Sequence, residues 1–115
     1  MTGAPTRART VFFGSGAFAV PLLDALATAD VDLVGVVTAP PRPSGRGGRV
    51  RRSPVAERAD ALGVRPVLEP LRLRDPAAID AVLALGPSLL VLADYGQIVP
   101  AALLDAPAHG ALGLH

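Results

Sequence analysis

The sequence predicts an α/β fold, a parallel sheet with helices on both faces. Two observations carry this. Short apolar β-prone runs alternate along the chain with segments whose apolar residues recur at helical spacing. The runs themselves are continuously apolar, as strands buried on both faces are, rather than alternating. At 115 residues the chain makes at most one small domain. Half of its residues are apolar, so it can bury a core, although aromatics contribute only 3% and aliphatic side chains must fill it.

Taken in order, Thr10–Phe13 reads as a buried strand that ends abruptly at Gly14-Ser15-Gly16. Phe18, Leu22, Leu23 and Leu26 then recur at helical spacing, with Pro21 tolerable in the first turn. Leu33–Val37 is a second strand. After a basic stretch, Ser53 caps a helix with Pro54 at its first position, Glu57 in its first turn and an end at Gly63. Pro66–Leu68 is a brief strand. Asp75-Pro76 opens a helix through Leu85, closed by Gly86-Pro87. Ser88–Ala93 is the most continuously apolar strand, Pro100–Leu104 a short helix, and Gly110–His115 a last strand. Such an alternation is Rossmann-like. It places the ligand crevice at the carboxyl ends of the first and fourth strands, where Gly14–Ala17 and Asp94–Ile98 meet.

The segment 39–52 interrupts this apolar pattern. Thr38–Arg52 holds five arginines and no acid. Proline and glycine at this density exclude helix and strand, so a mobile cationic loop is expected between the second strand and the following helix. Each guanidinium that meets a phosphate releases counterions and gains a bidentate contact, which suits a polyanion; a solvated linker is the plainer alternative. Net charge is only +1, but residues 1–58 carry eight arginines against four acids and residues 59–115 three against six. The charge is therefore local, which argues against a general nucleic-acid coat. With no cysteine, disulfides and thiolate metal sites are excluded. No metal site is expected, since His109 and His115 lack helical i, i+4 partners. Arg7 and Arg9 before Val11–Ala27 imitate a secretory signal, but Gly14, Ser15, Gly16, Pro21 and Asp24 would break up an inserting segment. No run reaches the roughly 18 apolar residues of a spanning helix, so no membrane association is expected.

Gly14-Ser15-Gly16-Ala17-Phe18-Ala19 fits the dinucleotide fingerprint G-x-G-x-x-G/A, sited between strand and helix. The fingerprint also needs an acid at the end of the second strand. That end reads Val36-Val37-Thr38-Ala39-Pro40, while Asp30 and Asp32 lie at its other end. Without lysine, a G-x-x-x-x-G-K phosphate loop is excluded. Asp94-Tyr95-Gly96-Gln97 is expected to wall the crevice, with Tyr95 facing a planar ligand. His115 closes the last strand at the end where chemistry collects.

Together these segments resemble the methionyl-tRNA formyltransferase family. Val11–Pro21 is similar to VFFGTPEFAVP, Val37–Gly47 to VTQPDRPAGRG, Ala93–Pro100 to VAYGQILP, and Gly110–His115 to GCINLH. Ser53-Pro54-Val55 and Leu73–Pro76 continue the match. The resemblance implies a formyltransferase fold and formyl transfer from 10-formyltetrahydrofolate to the amino group of methionyl initiator tRNA. It implies tRNA contacts at Arg42, Arg46 and Arg49, and His115 as the catalytic histidine. The folate and substrate cleft would then involve Gly14, Ser15, Asp94, Tyr95, Gly96 and Gln97. It further implies a cytoplasmic enzyme, monomeric at full length and needing no metal.

Two departures stand out. Gly113 occupies the family's asparagine position, which removes a donor to the oxyanion of the tetrahedral intermediate. The chain also ends before the family's later folate-lining stretch, its aspartate and its C-terminal barrel. It therefore reads as an incomplete N-terminal formyltransferase domain, truncated on the C-terminal side and inactive as it stands. The alternatives are a non-catalytic tRNA- or RNA-binding remnant and an NAD-type Rossmann fragment.

Overall fold

The computed structural model describes residues 7–44 and 47–114. β1 (Arg9–Phe13) leads through a 3-10 turn (Ala17–Ala19) into α1 (Val20–Thr28) and β2 (Asp32–Val37). A hairpin of β3 (Arg42–Ser44) and β4 (Arg49–Arg51) follows, then α2 (Pro54–Leu62), β5 (Val67–Leu68) and α3 (Pro76–Leu83). β6 (Leu89–Ala93), α4 (Ala101–Leu104) and β7 (Ala111–Leu114) complete the described chain.

The five main strands order as β5-β2-β1-β6-β7, and every pairing is parallel. The order reverses between β1 and β6, which is where a ligand crevice opens in such sheets. Side chains alternate across the central strand, as its twofold period requires. Val11 and Phe13 join Val37, Leu73, Val82, Leu90 and Leu103 on one face. Phe12 joins Leu23, Val36, Val55, Ala59 and Val91 on the other. Both faces of β1 are thus dry, which is why its sequence is continuously apolar.

The helix ends follow local chemistry. Ser53 caps α2 by accepting a hydrogen bond from the Ala56 amide at 3.0 Å, and Gly63 ends it in the left-handed region at φ 75°. Arg9 closes α3 from outside, donating from Nε to the Gly86 carbonyl at 3.1 Å and from Nη2 to the Leu85 carbonyl at 2.5 Å. Cationic donors suit the negative end of a helix.

Three expectations change. The basic segment is not devoid of strand: Arg42–Ser44 pairs antiparallel with Arg49–Arg51, with Pro43 opposite Val50. In a two-stranded ribbon half the amides face outward, so a proline without an N–H is tolerated there. Phe18 does not join the apolar stripe of α1 but stands 90% exposed. It falls in the 3-10 turn, whose period of three residues rotates it off the face set by Leu22 and Leu23. Finally, α3 stops at Leu83, two residues before the expected Leu85. Among the described residues no helix is long and apolar enough to cross a membrane.

Candidate active site

A cleft of about 550 Å³ opens at the carboxyl ends of β1, β2 and β6. Ser15 and Gly16 form its floor on one side and Asp94 to Gly96 on another. The feet of the hairpin and the start of α2 close the rest, through Ala39, Pro40, Arg42, Arg51, Arg52, Ser53 and Glu57. A smaller hollow of about 320 Å³ adjoins it, sharing Arg42, Pro43, Tyr95 and Gly96 and adding Leu71 and Gln97.

The glycine-rich turn is built for close packing. A Cβ on Gly14 would lie 2.7 Å from the Ala93 carbonyl oxygen, and one on Gly16 would run into the Asp94 carboxylate. The turn's amides are occupied as well: Gly14 donates to the Val37 carbonyl at 3.0 Å and Ser15 to the Asp94 carbonyl at 2.9 Å. A dinucleotide pyrophosphate needs those amides and that glycine surface free. Here the end of β2 and Asp94 have taken the amides, and Ala93 and Asp94 the glycine surface. Asp94 can do this because it adopts a left-handed backbone, φ 54°, which a short acidic side chain tolerates better than most.

Sequence reasoning missed a hydroxyl relay on the cleft floor. Thr38 is fully buried and its Oγ1 lies 2.5 Å from Ser53 Oγ and 3.5 Å from Ser15 Oγ. Ser15 donates in turn to the Tyr95 carbonyl at 3.0 Å and accepts from the Ala39 amide at 3.0 Å. With one proton per hydroxyl the chain runs one way, from Ser53 through Thr38 and Ser15 to the Tyr95 carbonyl. Ser15 is thereby a satisfied structural hydroxyl that joins β1, β2 and β6. The clue in the sequence was Thr38 itself, a polar residue ending a buried strand.

Of the expected site residues, Ser15, Asp94, Tyr95, Gly96 and Arg42 line the main cleft. Gly14 lies beneath it against Ala93. Arg49 sits on β4 opposite Ser44, exposed and away from the lining. Arg46 and His115 fall outside the described residues. Gln97 lines the adjoining hollow, where it straps a loop: its Oε1 accepts from the Leu73 amide at 2.9 Å and its Nε2 donates to the Leu71 carbonyl at 3.3 Å.

Tyr95 differs from expectation. Its ring does not stand open to a planar ligand but packs edge-on against Phe13, with centroids 5.6 Å apart and an interplanar angle of 82°. Its hydroxyl is buried and has no hydrogen-bond partner among the described residues. Burial pushes its pKa up to about 12. Folded and unfolded chains both hold this proton below about pH 10, so the effect on stability begins only above that. The unfolded state then ionises first, and stability falls as pH rises toward about 12. Tyr95 is the chain's only tyrosine, so phenolate absorbance reports it alone. It is expected to titrate near 12 in the folded chain and near 10 in urea; coincident curves would contradict its burial.

The cleft carries both signs of charge. Arg51 pairs with Glu57 at 3.7 Å, and Arg52 meets Glu69 and Asp60. Arg42, opposite Arg51 on the hairpin, has no ion pair among the described residues, and neither has Arg49. Acidic neighbours therefore hold the base of the hairpin and leave these two arginines with their charge uncompensated.

A family model described as formyl transferase matches residues 8–115. The chain belongs to the formyl transferase family. It is 48% identical over 107 residues to the methionyl-tRNA formyltransferase of Rhizorhabdus wittichii, covering 93% of this chain and 34% of that protein. The corresponding protein of a Nocardioides species is 47% identical over 107 residues, with the same coverage. The chain thus spans about a third of the length of these curated relatives. Among solved structures, glycinamide ribonucleotide transformylase 1 of Geobacillus kaustophilus superposes with a TM-score of 0.63 at 21% identity, over 95% of this chain and 58% of that one. The Symbiobacterium toebii counterpart gives 0.64 at 20%, over 95% and 51%. These two establish the fold. Formyl transferase membership sets the NAD-type reading aside, and the blocked glycine turn gives the physical reason.

In this formyl transferase domain β7 carries Gly113 opposite Leu92 and ends with Leu114 opposite Ala93, the residue before Asp94. A Cβ on Gly113 would meet nothing within 4 Å.

Proposed function

We propose that this chain carries the reaction cleft of a methionyl-tRNA formyltransferase, in which the formyl group of 10-formyltetrahydrofolate passes to the amino group of methionyl initiator tRNA. The observation that carries the reading is the cleft at the β1–β6 reversal with a basic hairpin standing at its edge. The relatives' names supply methionyl-tRNA and the formyl group, and the family resemblance supplies the folate donor and the initiator species. Arg42, with Arg46 and Arg49, would grip the phosphates of the acceptor end, and Arg42 lines the cleft itself. Attack by the amine on the formyl carbon requires a base for the ammonium proton and donors for the oxyanion. His115 is proposed for the first role. Gly113, standing for the family's asparagine, leaves one donor of the second kind missing.

The test is a chimera in which residues 8–115 replace the matching third of the Rhizorhabdus wittichii protein. It is expected to formylate methionyl-tRNA at reduced turnover. A chimera that stays inactive when asparagine is also placed at 113 would overturn the reading. The second reading, an RNA-binding remnant without turnover, is favoured by Gly113 alone and predicts that outcome together with retained binding.

Binding has its own expectation. Affinity of the 115-residue chain for an acceptor-stem minihelix should fall with salt, because phosphate contacts release counterions. Arg42→Ala is expected to lower the slope of log affinity against log salt by about 1. An unchanged slope would remove Arg42 from the interface.

A further inference from the structure

Arg52 is the last residue before the cap of α2 and the first after β4. Its Nε and Nη2 donate to Glu69 Oε2 and Oε1, both at 3.2 Å, and its Nη1 meets Asp60 Oδ2. Glu69 follows β5 and Asp60 lies in α2, so one guanidinium ties the hairpin's second foot to two elements of the main body. Planar bidentate pairing of this kind fixes direction as well as distance, which a lysine would not do. The arginine is two-thirds covered and Glu69 more so, so the bridge is shielded better than an ordinary surface pair. Hydrogen bonding to Glu69 raises the Arg52 pKa, in keeping with a charge held by its partners. The other foot is stiff for a different reason: Pro40 and Pro41 restrict its backbone just beyond buried Thr38 and Ala39, and Thr38 is itself bonded to Ser53.

We propose that Arg52 is a positioning residue, a clamp that holds the hairpin upright at the edge of the cleft so that Arg42 and Arg49 meet an acceptor-stem phosphate backbone in a fixed pose. The inference rests on the RNA-binding reading above and deepens it. Among the described arginines of Thr38–Arg52, Arg51 and Arg52 have partners inside the protein. Arg51, paired with Glu57, supports the same foot. When the clamp opens, only the fraction of molecules with the hairpin upright can bind, and the apparent dissociation constant rises by the inverse of that fraction.

The sign of the effect makes the proposal testable. Glu69→Gln with Asp60→Asn removes two negative charges near a polyanion site, so simple electrostatics predicts tighter RNA binding. The clamp predicts weaker binding, by about 3- to 10-fold if the upright fraction falls to about 0.1–0.3. Glu69→Asp, which keeps the carboxylate, should recover part of the loss. A second readout needs no RNA: trypsin should cut the double variant faster than wild type at Arg49 and Arg51, with thermal midpoints alike. Tighter or unchanged binding by the double variant, with unchanged cleavage, overturns the clamp. A wild-type chain that shows no salt-dependent binding to the minihelix overturns the RNA reading instead, and the cleavage comparison then decides the clamp alone.

Discussion

Placing asparagine at position 113 of the chimera is expected to raise formyl-transfer turnover by about 10²–10³-fold, the usual effect of one oxyanion donor. The backbone can accept the change. Gly113 does not occupy the left-handed region, and a Cβ there points into open space. The substitution therefore adds a donor without displacing a neighbour, and stability should move by no more than about 0.5 kcal/mol, as at other open surface positions. The informative quantity is turnover at saturating substrate, since a group that acts on the tetrahedral intermediate raises kcat and leaves KM nearly alone. Equal turnover with glycine and asparagine would show that position 113 gives nothing to the oxyanion.

Phe13→Ala is expected to cost about 3–5 kcal/mol, the range for emptying a buried aromatic site. Phe13 is fully buried at the carboxyl end of β1 and supports the edge of the Tyr95 ring. A small domain is stable by only about 5–15 kcal/mol, so the loss is a large share of the total. Because Tyr95 heads the turn that walls the cleft, the same change should lower its raised pKa toward 10. Urea unfolding measures the first effect and phenolate absorbance the second. Phe18→Ala is the control: at 90% exposure it should stay within about 0.5 kcal/mol. A Phe13→Ala variant that unfolds like the Phe18→Ala control would mean that the cleft floor rests elsewhere.

Strand positions and helix caps were legible because their causes are local. Val11–Phe13 and Leu90–Ala93 are apolar on both faces and had to be central, while Ser53, Pro54 and Gly63 marked α2 by capping chemistry alone. The reversal between β1 and β6 followed from the alternation of elements. Ser15, Asp94 and Gly96 line the cleft at the strand ends, where position along the chain alone puts them.

The sequence by itself determined the order of elements, the site of the crevice and the family, since hydrophobic period, turn residues and motif spacing lie along the chain. Tertiary structure alone decided what each polar group does once there. It turned the G-x-G motif from a phosphate seat into a packing surface for Asp94, sent the Tyr95 ring inward, and set Gln97 to strap a loop. It also divided the arginines into those held by acids, Arg51 and Arg52, and those with no ion pair among the described residues, Arg42 and Arg49. The physical reason is that a polar side chain's role depends on which partner reaches it first. Those partners, Asp60, Glu69, Ala93 and Asp94, come from segments brought together only when the sheet closes.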